Sequence, residues 1–137
     1  MTFENQPLSD RSVLLIEGES FLASYIADGI RAAGGSLCGH ARSVTEANEL
    51  LSQLRVRADA VVADLEIFEA DSFEHRDTVR KLFGPLLLIS NRARTPMLGH
   101  EILSAPFAAY QVVDHICLRL GLEATRGPES RRKPYNF

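Results

Sequence analysis

A doubly wound α/β domain on a five-stranded parallel sheet is the fold class this sequence predicts, and three observations predict it. Strand-length apolar runs recur at 13–16, 60–63 and 86–89, unbroken as in strands buried on both faces. Segments of helical spacing stand between them, so the order is repeatedly βα, which implies right-handed crossovers covering both faces of the sheet. The three runs stop on Glu17, Asp64 and Ser90. In open α/β sheets the carboxyl edge of the strands is where ligands and chemistry collect.

The elements follow in order. Residues 1–10 are polar, with one proline, and read as a loose lead-in. Val13 to Ile16 is the first strand. Ser20 is placed to cap a helix carrying Phe21, Leu22, Tyr25, Ile26 and Ile30 at helical spacing, and Gly34-Gly35 stops it. Ser36 to Ala41 is a short, poor strand. Ser43 or Thr45 caps a second helix with Ala47, Leu50, Leu51 and Leu54 on one face. Ala60 to Ala63 is the third strand. Phe73, Val79, Leu82 and Phe83 mark a third helix that Gly84-Pro85 ends. Leu86 to Ile89 is the fourth strand, Glu101 to Ala105 a weak fifth, and Phe107 to Leu120 a closing helix with Val112, Val113, Ile116 and Leu120 facing in. Between Ser90 and Glu101 stand Pro96 and Gly99, so a single turn or loop is expected there in place of a full helix. Residues 123–137 carry two prolines and no apolar period, and read as a mobile tail.

Composition narrows the function classes. The 137 residues suit one domain with a real core, and 45% hydrophobic with 24% charged residues is ordinary for a globular protein. A net charge of -3 provides no basic field to recruit nucleic acid or an anionic membrane. No apolar run reaches membrane-spanning length and no signal peptide is read, so a cytoplasmic protein is expected. Cys38 and Cys117 are too few for a disulfide framework and lack CxxC spacing. His40, His75, His100 and His115 show no paired metal spacing, so none is assigned to zinc, and nothing in the sequence gives His75 a phosphoryl role.

At this level of pattern the chain resembles the response-regulator receiver domain, the CheY-like (flavodoxin-like) module of two-component signalling, over roughly residues 11 to 122. The resemblance implies strand order 2-1-3-4-5, with a shortened or missing helix between the fourth and fifth strands. In that family an acidic pair follows the first strand, a phosphoacceptor Asp ends the third, and a Ser or Thr ends the fourth. A Lys-Pro, usually cis, follows the fifth. The corresponding residues here are Glu17-Gly18, Asp64, Ser90 and Ala105-Pro106, with Phe107 completing Pro-Phe. Gly18 stands where an acid would bind Mg²⁺ directly, and Ala105 where a lysine would grip the phosphoryl group. Ile102 stands where an aromatic is often found.

The resemblance therefore implies a phosphoacceptor Asp64 and a switch hydroxyl Ser90, with Mg²⁺ held weakly or not at all by Glu17, Asp64 and Glu66. A cation and an anion in contact are worth about 4 kcal/mol at an effective dielectric near 20. Losing the lysine therefore removes a large catalytic contribution. The resemblance implies a histidine kinase or other phosphorelay protein as partner, and allows a homodimer. No output domain follows in this sequence, so the chain is expected to act by binding another protein rather than as an enzyme.

Two other readings stand beside this one. A pseudo-receiver would dock a partner regardless of phosphate, through the first helix (Phe21, Leu22, Tyr25) or the last. An aspartate-based phosphohydrolase fits poorly, because Asp64-Leu65-Glu66 lacks the paired-Asp arrangement. Structural readings also exist: Asp64 as a cap for the segment after it, Arg92 and Arg94 as solvated loop residues rather than an anion site, and Arg131-Arg132-Lys133 as a solvated tail.

Overall fold

The computed structural model describes residues 6–54, 57–82, 85–90 and 102–122. The expectations for Phe83 and Gly84, for the segment 91–101 with Arg92, Arg94, His100 and Glu101, and for the tail 123–137 lie outside the described residues, as do the side chains of Leu51, Leu54 and Leu82. The elements are β1 (Ser12–Ile16), α1 (Ser20–Ala32), β2 (Ser36–Ala41), α2 (Val44–Leu54), β3 (Ala60–Asp64), α3 (Leu65–Ala70), α4 (Phe73–Leu82), β4 (Leu86–Ser90), β5 (Ile102–Ser104) and α5 (Ala109–Leu120).

The strands form one sheet in the order β2-β1-β3-β4-β5, with every pairing parallel. Alternation along each strand divides the core. Val13, Leu15, Val62, Leu87 and Ile89 face α1 and α5, packing with Ile26, Ile30, Val112 and Ile116. Leu14, Ile16, Val61, Ala63 and Leu88 face the other way, onto Ala47, Phe68 and Val79. Both faces are covered, which is why the central strands read as unbroken apolar runs.

Several details differ from the sequence reading. The α1 cap is Glu19, not Ser20: its carboxylate accepts from Phe21 N at 3.2 Å and Leu22 N at 2.7 Å. A glutamate at the cap can fold back onto these N–H groups, which leaves Ser20 as the first helical residue. Ser43, rather than Thr45, caps α2, its Oγ accepting from Glu46 N at 3.1 Å. α5 begins at Ala109 rather than Phe107, because Gln111 Oε1 takes the Ala108 N–H at 2.7 Å. The loose lead-in does not extend over 6–10: Leu8 is fully buried in the core, and its N–H donates to Ala33 O at 2.9 Å. A helix missing from the sequence reading, α3, follows β3 without a loop.

The seam between α1 and α5 is close-packed at Gly29, where an added Cβ would lie 2.6 Å from Ala109 Cβ. Tyr25 Oη accepts from Ala109 N at 3.1 Å on the same seam. Replacing Gly29 by alanine gains about 1 kcal/mol of helix propensity, but overpacking costs about 1–3 kcal/mol. Gly29→Ala is therefore expected to destabilise the fold in urea denaturation; a stabilised variant would mean that the seam yields easily.

Candidate functional site

Register brings the site together. Ile16 pairs with Ala63 across β1 and β3, so Glu17 and Asp64, one residue further on each, come level at the carboxyl edge. Asp64 pairs with Ile89, which sets Ser90 at the end of β4 next to it. Ser90 in turn pairs with Ser104, and its carbonyl accepts the Ala105 N–H at 2.8 Å. Glu17, Asp64, Ser90 and Ala105 thus line one edge across four strands. Among the described residues the first three are the buried polar ones, at 2%, 8% and 2% exposure.

Glu17 is tied by its backbone and by one carboxylate oxygen. Its N–H donates to Ala41 O at 2.9 Å, its carbonyl accepts from His40 Nε2 at 2.7 Å, and Oε2 accepts from Glu19 N at 2.9 Å. Oε1 is buried with no hydrogen-bond partner among the described residues. Burial, chiefly, pushes the Glu17 carboxyl up to about 7, and the neighbouring charges of Asp64 and Glu19 add to the rise against the Glu19 N–H bond.

Asp64 is the N-cap of α3, and its Oδ1 accepts from Glu66 N at 2.9 Å and Ile67 N at 3.1 Å. The capping role is thus present, and it coincides with the edge position. Glu66 stands in the first turn of α3, joined to Asp64 through its own N–H. Glu19 is committed to capping α1, so it does not replace the acid absent at position 18. At Gly18 an added Cβ would meet Ile67 Cδ1 at an ordinary 3.4 Å, so the position has room for a side chain. The Ala105–Pro106 bond is cis.

Magnesium is the ion that the resemblance implies, and the donor set fits a hard cation in part. The orphaned Oε1 of Glu17 beside the Asp64 carboxylate calls for a proton or a cation. Among the described residues no group of three or more His, Cys, Asp or Glu side chains is placed to hold a metal.

Sequence reasoning missed His40 and Arg42. Arg42 Nη2 donates to Gly18 O at 2.7 Å, so the β2 edge clamps the acidic loop through two consecutive carbonyls. No linear signal marks these contacts, which join residues more than twenty positions apart.

No family model matches the chain, and no curated protein matches it. Among solved structures, the receiver domain of the response regulator PhyR from Erythrobacter litoralis is similar at 21% identity and a TM-score of 0.65, with 88% of this chain and 95% of that one covered. A response regulator receiver protein from Burkholderia phymatum aligns at 18% identity and a TM-score of 0.69, over 84% of this chain and 98% of that one. A variant of the anti-anti-sigma factor PhyR from Bartonella quintana aligns at 20% identity and a TM-score of 0.62, over 86% of this chain. The match spans 50% of that protein's length. The chain has the CheY-like receiver fold. No helix among the described residues is long and apolar enough to cross a membrane.

Two outcomes follow from the acid pair. Asparagine keeps a capping oxygen and alanine does not, and both remove the charge beside Glu17. Asp64→Asn is therefore expected to be more stable than Asp64→Ala by about 1–2 kcal/mol in chemical denaturation; equal stabilities would deny the cap. For Glu17 the folded carboxyl lies above its ordinary value of 4.5, at about 7, so its contribution is full below the lower value and lost as pH rises through the upper one. Without metal, wild type should lose about 3 kcal/mol relative to Glu17→Gln between about pH 4.5 and pH 8. Parallel pH profiles for the two proteins would show that Glu17 is not perturbed.

Proposed function

We propose that this chain is an atypical response regulator receiver acting in two-component (phosphorelay) signal transduction in the cytoplasm. Asp64 is its nominal phosphoacceptor, and Mg²⁺-dependent phosphorylation is weakened or absent. The observation that carries this reading is the buried Glu17–Asp64 pair at the carboxyl edge, with Ser90 and Ala105 beside it. Chemistry at this site is transfer of a phosphoryl group from a phosphohistidine: an Asp64 carboxylate oxygen attacks phosphorus as the P–N bond breaks, and the electron pair returns to the imidazole. Magnesium, when held by Glu17 and Asp64, supplies charge neutralisation at the phosphoryl oxygens. Ser90, at the end of β4 beside Asp64, is the switch hydroxyl that hydrogen-bonds the acquired oxygens in this reading. Ala105 brings a methyl group where a cation would assist, so transfer is slow.

The partner is another protein, a histidine kinase or other phosphorelay component, and output passes through protein binding. A second reading, phosphorylation-independent docking, is favoured by two observations. Asp64 Oδ1 is already engaged as a cap, and Phe21 and Tyr25 are exposed on α1 at 78% and 40%.

Incubation with acetyl phosphate and Mg²⁺, followed by intact mass measurement, tests the choice. Wild type should label weakly and Asp64→Asn not at all. Restoring the two absent groups, in Gly18→Asp with Ala105→Lys, should accelerate labelling by about 100-fold, the scale of one lost transition-state contact. If the restored variant stays as inert as Asp64→Asn while folded, the docking reading stands and the phosphoacceptor reading falls.

A further inference from the structure

A second cluster with nucleophile geometry lies away from the acidic edge, where the start of α2 meets the turn between α3 and α4. His75 Nδ1 is 2.7 Å from Asp71 Oδ1. Asp71 is itself fixed: Ser72 N donates to Oδ1 at 2.7 Å, and Thr45 Oγ1 donates to Oδ2 at 3.3 Å. Burial alone would raise the Asp71 carboxyl, but bonds from His75, Ser72 and Thr45 hold it below its ordinary value. An ionised Asp71 accepts a hydrogen bond from Nδ1–H, so the lone pair of the neutral ring sits on Nε2. The His75 side chain is 46% exposed against 15% for Asp71, and Nε2 has no partner among the described residues.

A carboxylate behind an imidazole fixes the tautomer and stabilises the cationic ring that forms when the far nitrogen takes up an electrophile. His75 lies in the first turn of α4, where the helix dipole favours an anionic group. Arg76 follows directly, its Nε donating to Ser72 O at 3.4 Å. The carboxylates of Asp71 and Glu74 stand beside them, so the dipole and Arg76 offset these negative charges rather than exceed them.

We propose that His75 is a phosphoryl-accepting nucleophile, charged on Nε2 by a phosphoramidate donor without recourse to Asp64. In the step, the Nε2 lone pair forms an N–P bond as the P–N bond of the donor breaks. The electron pair of the broken bond leaves on the donor nitrogen, which is already protonated and departs as ammonia. The Nδ1 proton stays on the ring, held by Asp71, so the product is a protonated phosphoimidazole.

The test uses the full chain with phosphoramidate in EDTA, which removes the metal-dependent route to Asp64, and N-acetylhistidine in the same tube as reference. One acid-labile, alkali-stable phosphoryl group should map to His75 and form about tenfold faster than on the reference, a modest share of what a positioned partner supplies. It should persist in Asp64→Asn, vanish in His75→Gln, and slow to the reference rate in Asp71→Asn. Labelling no faster than the reference, labelling spread equally onto His40, or an unchanged rate in Asp71→Asn would each overturn the proposal. The comparison of wild type with the reference needs no variant to fold.

Discussion

Two carboxylates held level at the end of a parallel sheet are the constraint from which the rest of this site follows. The pairing of Ile16 with Ala63 leaves Glu17 and Asp64 no means of avoiding one another. Both are buried, and one oxygen of Glu17 meets no donor. A proton or a cation must therefore answer the pair. The rise of the Glu17 carboxyl to about 7 expresses the proton solution, with burial as its main cause. A third acid at position 18 would intensify the problem, and a lysine at 105 would ease it. Glycine and alanine at these positions remove both effects together, which keeps the edge foldable.

Asp64 carries two loads at once. It ends the most buried strand of the sheet and closes the N-terminus of α3 through two N–H bonds to one oxygen. α3 is only six residues long, too short to persist on its own helical propensity. Its stability rests on Leu65 and Phe68, which are buried against β3 and β4, and on the caps at its ends. Any group that draws Oδ1 away must compete with that cap, so chemistry at Asp64 and the conformation of α3 are linked through a single atom.

Much of this was legible in the sequence. The central strands were readable because helices cover both sheet faces, leaving Val13 to Ile16, Ala60 to Ala63 and Leu86 to Ile89 without polar interruption. The edge was readable because Glu17, Asp64 and Ser90 are the first polar residues after those runs. α3 was not, since Leu65-Glu66-Ile67-Phe68 carries no glycine or proline yet is too short to show a period. The cap at Glu19 was hidden by the adjacent serine, the commoner capping residue. His40 and Arg42 were invisible for a different reason: their bonds to Glu17 and Gly18 carbonyls depend on β2 lying beside β1. The Asp71–His75 pair does have helical i, i+4 spacing, but only the fold shows that Thr45 completes it.

Stability does not explain the acid pair. An apolar side chain at position 17 would be buried without an orphaned oxygen and without repulsion from Asp64, at lower free energy. The cap on α3 needs a carboxylate or amide at 64, but nothing in the packing needs a second carboxylate beside it. A perturbed, buried acid such as Glu17 is a feature of sites that bind or transfer charge. Glu17 is therefore the residue that most distinguishes a working edge from a merely structural one, because Asp64 closes a helix with its carboxylate whereas Glu17 holds a single loop N–H, that of Glu19, and buries its other oxygen without a partner among the described residues.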